Sequence, residues 1–92
     1  KVTAVIGTHT HIPTADARLL DNKTAYQTDT GMTGDYNSVI GMDRENPIHA
    51  FTLGYRREGR FTPANGKGKI CGVFIESNDK NGLAERIDPF QI

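Results

Sequence analysis

Val2, Ala4 and Ile6 alternate with Thr3 and Val5 in a nearly all-apolar run at the start of the chain, and such runs suit a strand covered on both faces. The pattern predicts a buried strand over 2–6. Gly7 then frees the backbone for a turn and Pro13 ends regular pairing, which leaves His9 and His11 in a short irregular or extended segment at the strand's C-terminal end. Residues 15–20 are compatible with a helical turn. Asp21-Asn22-Lys23 carries turn chemistry, and 24–28 reads as a second strand with Tyr26 and Thr28 on one face. The glycine-, Asn- and Asp-rich stretch over 31–38 reads as a loop with a defined path. A helix is marked by Asn46 as N-cap, Pro47 at the first helical position, an apolar face of Ile48, Phe51 and Leu53, and Gly54 as the stop. The last third reads as a β-meander. Asn65-Gly66 is a hairpin signal, 70–75 is an apolar strand, and Asp79-Lys80-Asn81-Gly82 turns the chain into a strand over 83–87. No internal repeat or low-complexity segment interrupts this order. The fold class is α+β or α/β, mostly strands with one or two short helices.

Composition narrows the function classes. Ninety-two residues suffice for one small domain, so the chain reads as a single segment over 1–92. Eleven basic residues balance eleven acidic ones and neither sign forms a block, which argues against capture of nucleic acid or an anionic membrane. No apolar run approaches the roughly 20 residues needed to span a bilayer, and no signal peptide is recognisable. A single cysteine, Cys71, makes no internal disulfide and agrees with a reducing, cytoplasmic setting. The chain opens without Met, already inside its first strand. It reads as a piece of something longer, with the absent N-terminal part as a structural partner for that strand.

Candidate chemistry centres on the two early histidines. In an extended segment, alternate side chains share a side, so His9 and His11 would face the same way roughly 6–7 Å apart. That suits two ligands of a dinuclear cluster whose ions lie roughly 3.5–4 Å apart. The same pair could equally be surface or core histidines without a metal. A catalytic site needs about three protein ligands per ion, and this chain falls short, because His49 lies in the predicted helix. Asp16 and Asp29 could hold an imidazole N–H from behind, or serve as turn and cap residues. Asn65-Gly66-Lys67-Gly68-Lys69 fits neither a P-loop, for want of Ser or Thr at Ile70, nor a dinucleotide fingerprint, for want of a third glycine at Cys71. Cys71 itself reads as a packed thiol, and Arg56, Arg57 and Arg60 as a solvated charge cluster.

Gly7-Thr8-His9-Thr10-His11, followed by Thr14-Ala15-Asp16, then by the run from Thr28 to Gly34 and the run from Ser38 to Met42, closely resembles the C-terminal part of bacterial YmdB-like metallophosphoesterases. These belong to the calcineurin-like superfamily. The resemblance runs from Val2 to about Ile87. It implies the C-terminal part of a calcineurin-like α/β sandwich, with His9 binding one metal ion and His11 the other. Thr8 stands between the glycine and the histidine pair, as in the YmdB-like branch. The family's other ligands and its candidate general acid come from earlier strands that this chain lacks. The resemblance further implies two divalent or trivalent ions, iron or manganese, and phosphodiester substrates, particularly 2′,3′-cyclic nucleotides. The loop carrying Gly31, Thr33 and Gly34 could border the substrate through its N–H groups, or be a structural turn.

The leading expectation is therefore a piece of a cytoplasmic dinuclear phosphodiesterase that is inactive alone. The alternatives are a non-catalytic binding or homo-oligomerisation module whose histidines are incidental, and a mononuclear structural zinc site shared between chains.

Overall fold

The computed structural model describes residues 2–54 and 59–92. Arg56 and Arg57, and with them the expected charge cluster, lie outside the described residues. The described chain is mostly strand with one helix, as the sequence pattern predicts: β1 (Ala4–Ile6), β2 (Arg18–Leu19), β3 (Ala25–Gln27), β4 (Thr33–Asp35), α1 (Glu45–Leu53), β5 (Gly68–Ser77) and β6 (Ala84–Gln91). Two compact units contain these elements, one made of Lys1–Met32 with Ile70–Ile92 and the other of Thr33–Lys69. Among the described residues no helix is long and apolar enough to cross a membrane.

In the first unit, β1 runs parallel to β3 in the register Ala4↔Ala25, Val5↔Tyr26, Ile6↔Gln27, and β2 pairs antiparallel on the other side of β3. The expected helical turn over 15–20 is thus replaced by a strand. The cause is the turn that follows. Lys23 adopts a left-handed φ of 58°, its N–H donates to the Leu20 carbonyl at 2.7 Å and the Leu20 N–H donates to the Thr24 carbonyl at 2.9 Å, so the chain doubles back along β3. The Arg18 guanidinium then lies 4.9 Å from the centre of the Tyr26 ring, a cation–π distance. Tyr26 and Thr28 do share a face, with their hydroxyls 3.1 Å apart.

β1 is less covered than its composition predicts. It sits at the end of its sheet, and Val5 is 47% and Ile6 36% exposed. An apolar run suits two covered faces, but within the described residues only β3 pairs with this strand. The fully buried large side chains are instead polar, Gln27 and Asp29, while the fully buried apolar ones, Ala25 and Ala84, are small.

β5 and β6 pair antiparallel from Cys71↔Gln91 to Ser77↔Ala84 with a register shift at Glu76/Ser77. Cys71 is buried, as expected of a packed thiol. Asn78 and Gly82 make the connection: the Gly82 N–H reaches the Asn78 carbonyl at 2.8 Å, and Gly82 takes φ 70°. β6 runs past Ile87 through Pro89, which a strand at the end of its sheet tolerates because an outward N–H is not needed for the ladder.

The second unit corrects three sequence expectations. Asn65-Gly66 does not join neighbouring hairpin strands. The Gly66 N–H donates to Asp35 Oδ2 at 3.1 Å, tying this turn to β4 just ahead of β5. The 31–38 stretch contains β4 rather than being all loop. The helix also starts earlier than Asn46. Asp43 Oδ1 accepts the Glu45 N–H at 3.0 Å, which is N-cap chemistry, and Arg44 already has helical φ and ψ. Asn46 Oδ1, by contrast, is buried without a hydrogen-bond partner. Gly54 ends the helix as expected, at φ 74° with its N–H on the Ala50 carbonyl.

Candidate functional site

The histidines follow β1 directly, and Gly7 sets where they begin. Its N–H donates to the Gln27 carbonyl at 3.0 Å and its carbonyl accepts the Thr30 N–H at 3.1 Å, which continues the β1–β3 ladder by one residue. A Cβ at Gly7 would lie 2.0 Å from the Thr28 carbonyl oxygen. The glycine is needed for this close approach of two backbones, not for a positive φ.

Beyond Gly7 the chain bends, and the bend has one organiser. Asp29, 1% exposed, accepts on Oδ2 the His9 N–H at 2.8 Å, the Thr10 N–H at 2.6 Å and the Thr10 hydroxyl at 2.8 Å. Its Oδ1 accepts the Gly31 N–H at 2.8 Å. The Asp29 N–H donates in turn to Thr14 Oγ1 at 2.9 Å, and the Thr14 N–H donates to the Asp29 carbonyl at 2.9 Å. The Gly31 N–H, followed by the donors of Thr10 and His9, overcomes the opposing effect of burial and holds the Asp29 carboxyl near pKa 2, well below its ordinary 3.8.

This geometry replaces the extended segment expected for residues 8–12. His9 and His11 are both exposed, but His11 has φ 67°, a left-handed conformation that His tolerates better than most residues. Simple alternation therefore does not govern where the two rings point. Thr10, expected to point away from the site, turns inward and supplies two of the donors on Asp29.

The other anticipated supporting carboxylate lies in an adjoining hydroxyl network. Asp16 Oδ1 accepts the Thr14 hydroxyl at 2.6 Å and the Thr28 N–H at 3.1 Å, and Oδ2 accepts the Thr28 hydroxyl. The Thr14 hydroxyl, then that of Thr28, lowers its pKa from 3.8 to about 2. Arg18 lies 3.7 Å away, a surface ion pair of small worth. Asp16 and Asp29 thus hold the two sides of the 14–16 and 28–29 crossing. Thr10, Thr14 and Thr28 are the parts that sequence reasoning missed; the one signal for them is that each lies within two residues of a candidate ligand or carboxylate.

The remaining candidates separate. The Gly31 N–H is committed to Asp29, whereas Thr33 and Gly34 are placed in β4 of the second unit. His49 is a half-buried residue of α1. A cleft of about 440 Å³ in the first unit is lined by Pro13, Thr14, Gln27, Gly72, Phe90 and Gln91 among others, and includes neither histidine.

The donor set fits part of a metal site. Two imidazoles, the usual nitrogen ligands of transition metals, are presented on an anchored, exposed turn. With three donors already on Asp29 Oδ2, that oxygen has no lone pair left for an ion. Among the described residues no three His, Cys, Asp or Glu side chains come together to hold a metal, so any ion bound here takes further ligands from elsewhere.

Comparison with known proteins places the whole arrangement. Residues 1–90 match the model of the family described as YmdB-like protein. The chain is 47% identical over 88 residues to a 2′,3′-cyclic-nucleotide 2′-phosphodiesterase of Bacillus subtilis, covering 96% of this chain and 33% of that one. It is 37% identical to a Mycoplasma genitalium protein named as a putative phosphatase/phosphodiesterase, covering 99% of this chain and 32% of the relative. Among solved structures, a phosphatase from Mycoplasma pneumoniae superposes with a TM-score of 0.90 at 35% identity over 99% of this chain and 32% of its own. The chain therefore spans about a third of the length of these relatives.

Proposed function

Because the chain belongs to the YmdB-like family, we propose that it is the part of a dinuclear-metal phosphodiesterase that carries the last two histidine ligands, His9 for one ion and His11 for the other. The observation that carries this reading is the anchored turn at the end of β1, which presents two imidazoles to solvent. The name of the Bacillus subtilis relative supports 2′,3′-cyclic nucleotides as the substrate class. Iron suits the imidazole donors, manganese would draw on oxygen ligands from the remaining segments, and a cytoplasmic setting suits a chain with one cysteine.

When bound, two such ions supply an activated water and polarise the phosphoryl group. The residues of this chain act by position. β1 and β3 fix the origin of the turn through Gly7, and Asp29 fixes its path. His9 and His11 would hold the ions through their ring nitrogens. Ligands beyond the pair, and the group that protonates the leaving alkoxide, belong to segments corresponding to the rest of the relatives' length. The 92 residues are accordingly inactive alone. The open apolar surface of β1, including Val5 and Ile6, suits contact with those segments.

The test uses the full-length protein. His9→Ala and His11→Ala should each abolish tight manganese binding and hydrolysis of a 2′,3′-cyclic nucleotide, and the isolated chain with manganese or iron should give no turnover. Retention of both binding and activity in either variant would overturn the assignment. A second reading, in which the β5–β6 hairpin serves assembly of copies, draws on the exposure of Ile70, Phe74 and Phe90. It expects changed oligomeric state on Phe74→Ser and unchanged metal binding in the histidine variants.

A further inference from the structure

The structure assigns Asp29 as a positioning residue that tunes metal affinity through the backbone of the His9-Thr10-His11 turn. This rests on the metal reading of the two histidines, and it extends that reading to a side chain that supplies no ligand.

One carboxylate satisfies four donors from two segments: His9 N–H, Thr10 N–H and Thr10 Oγ1 on Oδ2, and Gly31 N–H on Oδ1. It does so at 1% exposure. A buried carboxylate of this kind fixes its partners because the alternative, an unpaired charge away from water, is costly. The partners are the main-chain groups that flank the first imidazole, so the orientation of His9 follows from where Asp29 stands. Asp29 is itself held on its main chain by Thr14 from both sides, N–H to hydroxyl and carbonyl to N–H. His11 keeps a left-handed φ of 67°, a conformation that persists when surrounding contacts determine it. Thr10, between the two histidines, has its hydroxyl within 3.1 Å of the Ile12 carbonyl as well as on Asp29. The turn is thus fixed before and after each ring.

Outer groups that orient metal ligands typically change affinity by about 10–100-fold when removed. They usually do so by accepting the imidazole N–H. Here the contact to His9 runs to its main chain, so the effect is exerted on the geometry of the turn.

The experiment measures the manganese dissociation constant of the full-length protein by calorimetry, and amide hydrogen exchange at His9 and Thr10 with no metal added. Asp29→Asn places an amide donor where N–H groups converge; it should weaken manganese binding about 10–100-fold and speed exchange at both amides. Thr10→Val removes one hydroxyl at an exposed position and should weaken binding about three- to tenfold. Thr24→Val, which removes the hydroxyl bond to the Val2 carbonyl away from the turn, should lower Tm while leaving the dissociation constant unchanged, so loss of stability alone does not imitate the effect. Folded Asp29→Asn with wild-type manganese affinity would overturn the role. If Asp29→Asn does not fold, Thr10→Val decides: weakened binding supports the role and unchanged binding overturns it. His9→Ala separates the two levels. If it loses manganese while Asp29→Asn keeps it, only the positioning role fails; if it keeps manganese, the metal reading beneath fails.

Discussion

A Cβ on Gly7 would stand 2.0 Å from the carbonyl oxygen of Thr28, so the last residue before the histidine segment touches the main chain between β3 and Asp29 with nothing between them. No side chain moves to relieve that contact, because both groups are backbone. Gly7→Ala should therefore destabilise the protein by about 1–3 kcal/mol or more, read as a lowered urea midpoint, and should reduce metal affinity by displacing the turn from Asp29. Wild-type values of both would mean that β1 and β3 separate without consequence.

Asp16 predicts a particular acid response. Its folded pKa is depressed to about 2, first by the Thr14 hydroxyl and then by that of Thr28, from an ordinary 3.8. A depressed carboxylate contributes stability that is present above the unfolded pKa and lost as pH falls from about 3.8 towards 2. The urea midpoints of wild type and Asp16→Asn should therefore differ at pH 7 and converge at pH 2. A gap that stays constant across this range would detach Asp16 from the effect.

The legible parts of this molecule were those written in local chemistry. Gly54 as a helix stop, the Asp79-Lys80-Asn81-Gly82 turn and the shared face of Tyr26 and Thr28 each depend on residues a few positions apart, and each is found in the structure. β2 was hidden because Ala15–Leu20 has no strong strand pattern and pairs only once Lys23 turns the chain back. The side chain that does accept an N–H at the helix start, Asp43, lay three residues from the better-looking Asn46-Pro47 pair. At the candidate site, the histidines were recognisable as a pair and the Asp29–Gly31 bond is local turn chemistry, whereas His9 and Thr10 reach Asp29 across some twenty residues of sequence, a relationship no spacing rule encodes.

The helix cap gives a local test in the second unit. Asp43→Ala removes the acceptor of the Glu45 N–H and should lower stability by about 1 kcal/mol, within the range for lost N-caps. Asn46→Ala, despite standing at the position that looks like the cap, removes an oxygen that has no partner and should cost less than Asp43→Ala. Thermal unfolding of the two variants side by side gives the order, and the reverse order would return the cap to Asn46.

The apolar exposure of β1 separates the needs of the isolated chain from those of the full-length protein. Val5 is 47% and Ile6 36% exposed on a strand at the end of its sheet, and an open apolar edge strand favours association. Val5→Thr keeps the β-branched shape and replaces a methyl by a hydroxyl. In the isolated 92-residue chain it should reduce self-association measured by sedimentation, with little change in folding, because the side chain already meets water. In the full-length protein, where the proposed contact with the remaining segments buries this position, the same hydroxyl would lose its water, a cost of about 1–3 kcal/mol when no partner replaces it. A loss of stability in the full-length protein, with little change of stability in the isolated chain, is the expected result. Equal, small effects in both would mean that Val5 remains open to solvent in the full-length protein and that the covering surface lies elsewhere.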